Sequence, residues 1–116
     1  FVAGMFEEPE SAIEVGAREC KEEANIDVSP DQLVKVMTYL SSPGGMSETM
    51  HLYWVNVDSS QAFGIHGLDH ENEDILVHVV TIDEALTLLN DGKITNASTV
   101  IGLQWLALNY QSLSAV

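Results

Sequence analysis

Carboxylates are the chemistry-bearing groups of this sequence, and they are unevenly placed. Nine of the eighteen Asp and Glu residues lie within residues 1–31, and four more lie within residues 69–74. The densest group is Glu19, Glu22 and Glu23. On a helix at about 100° per residue these three span an arc of roughly 100°. Like charges so placed destabilise a helix by a few tenths of a kcal/mol, and a bound cation reverses that sign. Carboxylate oxygens are the ligands that hard divalent ions such as Mg²⁺ or Mn²⁺ prefer. A solvated acidic face is the plainer reading of any Glu-rich helix, so the neighbouring residues have to decide.

The second acidic segment, Asp69-His70-Glu71-Asn72-Glu73-Asp74, sits in a long polar stretch. It is not a calcium loop, because Asp74 stands where the sharp turn needs Gly and Val80 where the twelfth ligand should be Glu. Taken alone it reads as a solvated loop. Other reactive types are weaker. His66 and His70 are four apart but have no cysteine beside them, which disfavours zinc. Cys20, the single cysteine, excludes an internal disulfide, fits a reducing, cytoplasmic setting and is read as a small core residue. Ser41 and Ser42 lack a His/Asp relay. Trp54 and Trp105 fall in strand and helix patterns and read as core.

These side chains need elements to hold them. Ile13, Ala17, Cys20 and Ala24 form one apolar stripe opposite the glutamate arc, so a helix is expected from Ser11, with Glu14 completing a capping box, to Asn25. Ser29-Pro30-Asp31 reads as a turn, residues 33–40 as a strand, and Ser41-Ser42-Pro43-Gly44-Gly45 as a loop. Residues 51–57 alternate as a strand, and residues 58–74 form a loop of the length that is usually functional or disordered. Residues 75–81 are expected as a strand buried on both faces, and residues 83–90 as a short helix stopped by Asn90-Asp91-Gly92. A last helix, capped by Asn96 or Ser98, runs to about Leu113 and places Val100, Leu103, Leu106 and Leu108 partly on one face. Strands mixed with helices make the fold class α/β (α+β).

Composition bounds the partners. The chain has 116 residues, 46% hydrophobic and 19% charged, which fits one small globular domain spanning residues 1–116. A net charge of −14 argues against sequence-independent nucleic-acid binding, which needs Lys and Arg. Apolar runs are far shorter than the roughly 20 residues of a membrane span. Phe1 is not an initiator methionine, and Phe1-Val2-Ala3-Gly4 reads as the tail of a strand, so an N-terminally truncated domain is expected.

The spacing around the first acidic group decides its reading. From Gly4 the sequence runs five residues to Glu10, seven more, then Arg18-Glu19-Cys20-Lys21-Glu22-Glu23-Ala24-Asn25-Ile26. This resembles the Nudix box, Gly-x5-Glu-x7-Arg-Glu-U-x-Glu-Glu-x-Gly-U, where U is a bulky apolar residue. Six of seven fixed letters are present, a chance match of about 10⁻⁵ or less. Asn25 stands where the family has Gly, and Asn is the next most tolerant of the left-handed conformation. Beyond the box, the Ser42-Pro43-Gly44-Gly45 loop, the run from Gly64 through Glu71 to Val80, and the helical tail with Leu103-Gln104-Trp105-Leu106 are similar to bacterial ADP-ribose pyrophosphatases of that family.

The resemblance implies a Nudix α/β/α sandwich around a mixed sheet and a reaction that hydrolyses ADP-ribose to AMP and ribose 5-phosphate. A polyanionic substrate would be repelled by a chain this acidic, so a divalent metal, Mg²⁺ or alternatively Mn²⁺, would mediate the contact. By resemblance, Glu19 and Glu23 would be the principal metal ligands, with Glu22, Glu73 and the Ala3 carbonyl beside them. Glu71 would be the base that activates water, and Arg18 and Glu10 an ion pair that orients loop and helix, with Gly4 as the box glycine. Met5, through its backbone, and Ser42, Pro43, Gly44 and Glu48 would meet substrate. Family members of this kind are homodimers. The alternatives are another nucleoside diphosphate-sugar pyrophosphatase, or a non-catalytic nucleotide or ADP-ribose sensor, against which the intact box carboxylates speak.

Overall fold

The structure, a computed structural model, describes residues 1–6, 9–58, 60, 64–66 and 75–113, and the side chains of 64–66 and 75 are outside that description. The chain forms two compact units, Phe1–Val79 and Val80–Val116. Helices and antiparallel strands share the chain, so the mixed α+β class is observed.

In the first unit, helix α1 covers Ala12–Ala24. Ser11 caps it: its Oγ accepts the Glu14 N–H at 3.4 Å and donates to Glu14 Oε1 at 3.0 Å. The helix ends at Asn25, whose φ of 56° and ψ of 36° are left-handed. That conformation lets the Asn25 N–H reach Lys21 O and the Ile26 N–H reach Cys20 O, both at 3.1 Å, which satisfies carbonyls that a helix end otherwise leaves open. Cys20 and Ala24 of the expected stripe are buried, and Ile13 and Ala17 are half-buried. Val15 and Glu19, four apart on the face expected to be wet, are buried too. The helix is therefore covered on more than one side.

A single 3-10 turn, Pro30–Gln32, follows, with the Ser29 N–H donating to Gln32 Oε1 at 2.8 Å. Strand β1 (Val34–Leu40) then pairs antiparallel with β2 (Thr49–Trp54), from Val34↔Trp54 to Leu40↔Thr49, with a bulge between Lys35 and Met37. The second strand starts two residues before the expected His51 and stops at Trp54 rather than Val57. Its partner sets the limit, because Leu33 donates to Pro30 O at 3.2 Å and closes the turn instead of extending the ladder.

Two short strands form the other ladder. Strand β3 (Gly64–His66), inside the stretch expected to be loop, pairs antiparallel with β4 (Ile75–Val77) in the register Gly64↔Val77, Ile65↔Leu76, His66↔Ile75. The expected strand over 75–81 is thus shortened, and its burial on both faces is not observed: Leu76 is 57% exposed, and Val79 and Val80 are exposed. Thr81 already serves the next helix. Both α1 and the 3-10 turn, and α1 and the β3–β4 ladder, are in contact.

The second unit is a pair of packed helices, α2 (Ile82–Asn90) and α3 (Ala97–Leu113). Thr81 Oγ1 accepts the Glu84 N–H at 3.1 Å and starts α2, and Gly92, at a φ of 74°, ends it by donating to Leu89 O. Asn96 caps α3, its Oδ1 accepting the Thr99 N–H at 3.1 Å. Leu103 is buried there, whereas Leu108 is 85% exposed and does not share its face. Among the described residues no helix is long and apolar enough to cross a membrane.

Candidate metal centre

Residues 1–6 run beside α1, and three of them are tied to it. The Ala3 N–H donates to Glu23 Oε1 at 3.0 Å. The Met5 carbonyl accepts from Arg18 Nη2 at 3.2 Å. Between them, Gly4 lies so close to Glu19 that a Cβ at position 4 would overlap the Glu19 side chain at Cγ, Cδ and Oε1. Gly4 is required here by close approach of backbone to a side chain. Phe6 adds a tilted ring contact with His51 of β2, centroids 5.7 Å apart.

Arg18 is the hub of the cluster. Its Nε and Nη2 grip Glu10 in a two-pronged pair, at 2.8 Å to Oε2 and 3.0 Å to Oε1. Its Nη1 donates to Glu19 Oε1 at 2.9 Å and to Glu22 Oε2 at 3.1 Å. The planar fork of guanidinium suits such paired contacts, and charge assistance makes them stronger than neutral hydrogen bonds. The side chain is 22% exposed, so solvent screens it only in part. Hydrogen bonding to Glu10 holds the guanidinium proton above its already high ordinary range, partial burial opposes this, and Glu22 and Glu19 reinforce it. The sequence pointed to the Arg18–Glu10 pair but not to the bonds with Glu19 and Glu22. The i, i+4 spacing of Arg18 and Glu22 was the legible signal for one of them.

Glu19 is the one buried charged residue among those described, at 6% exposure. A carboxylate removed from water needs a compensating charge or donors, and Arg18 supplies them. Cys20, also buried, packs as the small apolar residue expected. Burial pushes its thiol pKa up, and the neighbouring Glu23 charge adds to the shift, so it is not primed as a nucleophile.

The donor chemistry of Glu19, Glu22 and Glu23 beside the 3–5 backbone fits a hard divalent cation. The carboxylates are nevertheless engaged with other partners: Glu19 and Glu22 with Arg18, and Glu23 with the Ala3 amide. Among the described residues no group of three His, Cys, Asp or Glu side chains converges tightly enough to hold an ion.

The structure thus brings together Ala3, Gly4, Met5, Glu10, Arg18, Glu19, Glu22 and Glu23. Ala3 meets the cluster through its amide, whereas its carbonyl was the expected ligand. Met5 turns its carbonyl to Arg18, and its side chain is exposed. Ser42, Pro43, Gly44 and Glu48 lie on the exposed β1–β2 connection, held by its own contacts: Gly45 and Met46 N–H donate to Ser42 O, and Ser41 Oγ donates to Glu48 at 2.8 Å. Glu71 and Glu73, and His70 of the disfavoured zinc pair, lie outside the described residues. Trp54 and Trp105 are half-buried. Two cavities, of about 250 and 440 Å³, are lined by other residues and include none of the three glutamates.

Known proteins extend this picture. No protein-family model matches the chain. It is 50% identical over 112 residues, 97% of its length, to an ADP-ribose pyrophosphatase of Haemophilus influenzae, of which it covers 51%. It is 49% identical over 112 residues to an ADP-ribose pyrophosphatase of Escherichia coli K12, again 97% of this chain, and covers 53% of that protein. A GDP-mannose pyrophosphatase of Citrobacter koseri is 31% identical over 106 residues, 90% of this chain and 52% of that protein. The chain spans about half the length of the curated relatives it matches.

Proposed function

We propose that this chain, which over the residues compared belongs to the Nudix family, is part of a metal-dependent pyrophosphatase that hydrolyses ADP-ribose to AMP and ribose 5-phosphate. The observation that carries the reading is the tie between Arg18, Glu10, Glu19 and Glu22 beneath Gly4, in a chain half identical to enzymes named for that substrate. A divalent cation, Mg²⁺ or Mn²⁺, held by Glu19, Glu22, Glu23, Glu73 and the Ala3 carbonyl, supplies the positive charge that a −14 chain lacks against a diphosphate. Arg18 and Glu10 set the direction of the helix and the residue 1–6 segment that carry these groups. Glu71 takes the proton from water as the water oxygen bonds to one phosphorus of the diphosphate and the bond from that phosphorus to the bridging oxygen breaks, which leaves AMP and ribose 5-phosphate. Met5, Ser42, Pro43, Gly44 and Glu48 contribute to substrate binding, and the intact protein acts as a homodimer.

The test is AMP release from ADP-ribose by the intact protein, with Mg²⁺ and with EDTA, beside GDP-mannose and ADP-glucose. The expected result is metal-dependent turnover that prefers ADP-ribose and falls by at least about 100-fold in Glu71→Gln. The GDP-mannose pyrophosphatase relative makes that substrate the specific competitor. A preference for it would keep the reaction and discard the sugar assignment. Binding of ADP-ribose with no turnover and no need of metal would make the protein a sensor.

A further inference from the structure

We propose that the Arg18 guanidinium holds the place of the divalent cation in the metal-free protein, and that loading the cation releases only one arm of this arginine. The inference rests on the reading of Glu19, Glu22 and Glu23 as the carboxylates that hold the metal. Three like charges within one helical arc repel each other, and burial of Glu19 raises the need for a counter-charge. Arg18 meets it asymmetrically. Nε and Nη2 are committed to the Glu10 fork and the Met5 carbonyl, at 2.8, 3.0 and 3.2 Å. Nη1 bridges the two expected ligands, at 2.9 Å to Glu19 Oε1 and 3.1 Å to Glu22 Oε2.

A cation and a guanidinium N–H compete for the same carboxylate oxygens, because each is drawn to the lone pairs and the two positive groups repel one another. The bidentate grip on Glu10 is the stronger attachment, so Nη1 is the arm that yields. Arg18 then remains on Glu10 and on Met5, and the segment bearing Ala3 and Gly4 stays in place. The arginine acts as a positioning residue whose second task is to hold the glutamates before metal arrives. Its competition sets how tightly the metal binds.

The experiment uses the intact protein. In ¹⁵N NMR spectra, the guanidinium signals of Arg18 are identified by their loss in R18K and followed as Mg²⁺ is added. Nη1 is expected to shift while Nε, on Glu10, stays. In parallel, Mn²⁺ binding is measured by electron paramagnetic resonance. Lysine keeps the charge but cannot reach Glu10, Glu19 and Glu22 together, so R18K is expected to bind Mn²⁺ about threefold tighter, the scale of a partly screened ion pair. An unmoved Nη1 at saturating Mg²⁺, joint movement of Nη1 and Nε, or R18K binding Mn²⁺ no tighter than the parent would overturn the inference while leaving the metal assignment standing. If R18K does not fold, Arg18 is assigned by sequential labelling and the NMR arm on the unmodified protein decides. Failure of the parent to bind Mn²⁺ overturns the metal assignment, and the inference with it.

Discussion

Gly4→Ala is the sharpest perturbation of this site, because one methyl group is placed where Glu19 already is. The added Cβ would overlap the Glu19 side chain at three atoms. Two responses are open. Glu19 can swing away, losing its charge-assisted bond to Arg18, which costs about 1.5–3 kcal/mol. Alternatively, the residue 1–6 segment can move off α1, straining its links from Ala3 to Glu23 and from Met5 to Arg18, and overpacking of this kind costs about 1–3 kcal/mol. The cheaper response wins, so the expected loss is about 2 kcal/mol. At about 4 °C per kcal/mol for a chain of 116 residues, that corresponds to a fall in Tm of about 8 °C, read by circular dichroism. Either response displaces a carboxylate or the backbone beside it by about an ångström, for which a rate loss on the order of 100-fold is expected. A Gly4→Ala protein with parental Tm and parental turnover would refute the argument that Gly4 is there to admit Glu19.

Three further outcomes follow from the same geometry. Glu10→Gln keeps the shape but turns an NH₂ toward the Arg18 fork, and it should lower stability by about 1–2 kcal/mol, seen as a reduced urea midpoint with unchanged slope. Asn25→Gly should raise stability by about 0.5 kcal/mol and Asn25→Ala lower it by about 1 kcal/mol, because the left-handed backbone penalises a Cβ and Asn is the mildest offender; paired thermal melts check the order. The buried Cys20 thiol should react slowly with a disulfide reagent at pH 8 and rapidly once urea unfolds the chain. Its sign is set by linkage: the folded pKa is raised, so the contribution is fully present below the unfolded thiol pKa. Above that pH the unfolded chain releases the proton that the fold retains, and stability falls as pH climbs through the folded value. A stability that rises with alkaline pH in the parent but not in Cys20→Ala would contradict the assigned direction.

Much of the candidate site was legible in the residues alone. The Gly4, Glu10, Arg18 and glutamate spacing marked the box, and local rules placed its helix almost to the residue, since Ser11 and Asn25 act on backbone groups only a few positions away. The end of α2 at Asn90 and the Asn96 cap of α3 were legible in the same way, whereas Thr81, expected in a strand, is the cap that starts α2. Strand limits were less legible, because a strand's length is fixed by its partner. Trp54 ends β2 where Val34 stops offering a rung.

What periodicity cannot supply is the side of a helix that a distant segment covers. Helical spacing put Glu19 on a polar arc, and an isolated helix would leave it wet. Only the tertiary structure lays Gly4 against it, turns the Met5 carbonyl to Arg18 and divides one guanidinium among Glu10, Glu19 and Glu22. Sequence determines which charges and caps are available, because those are properties of single residues and near neighbours. Which charges neutralise each other depends on distances across the fold, since Coulomb energy and desolvation follow separation and burial in space.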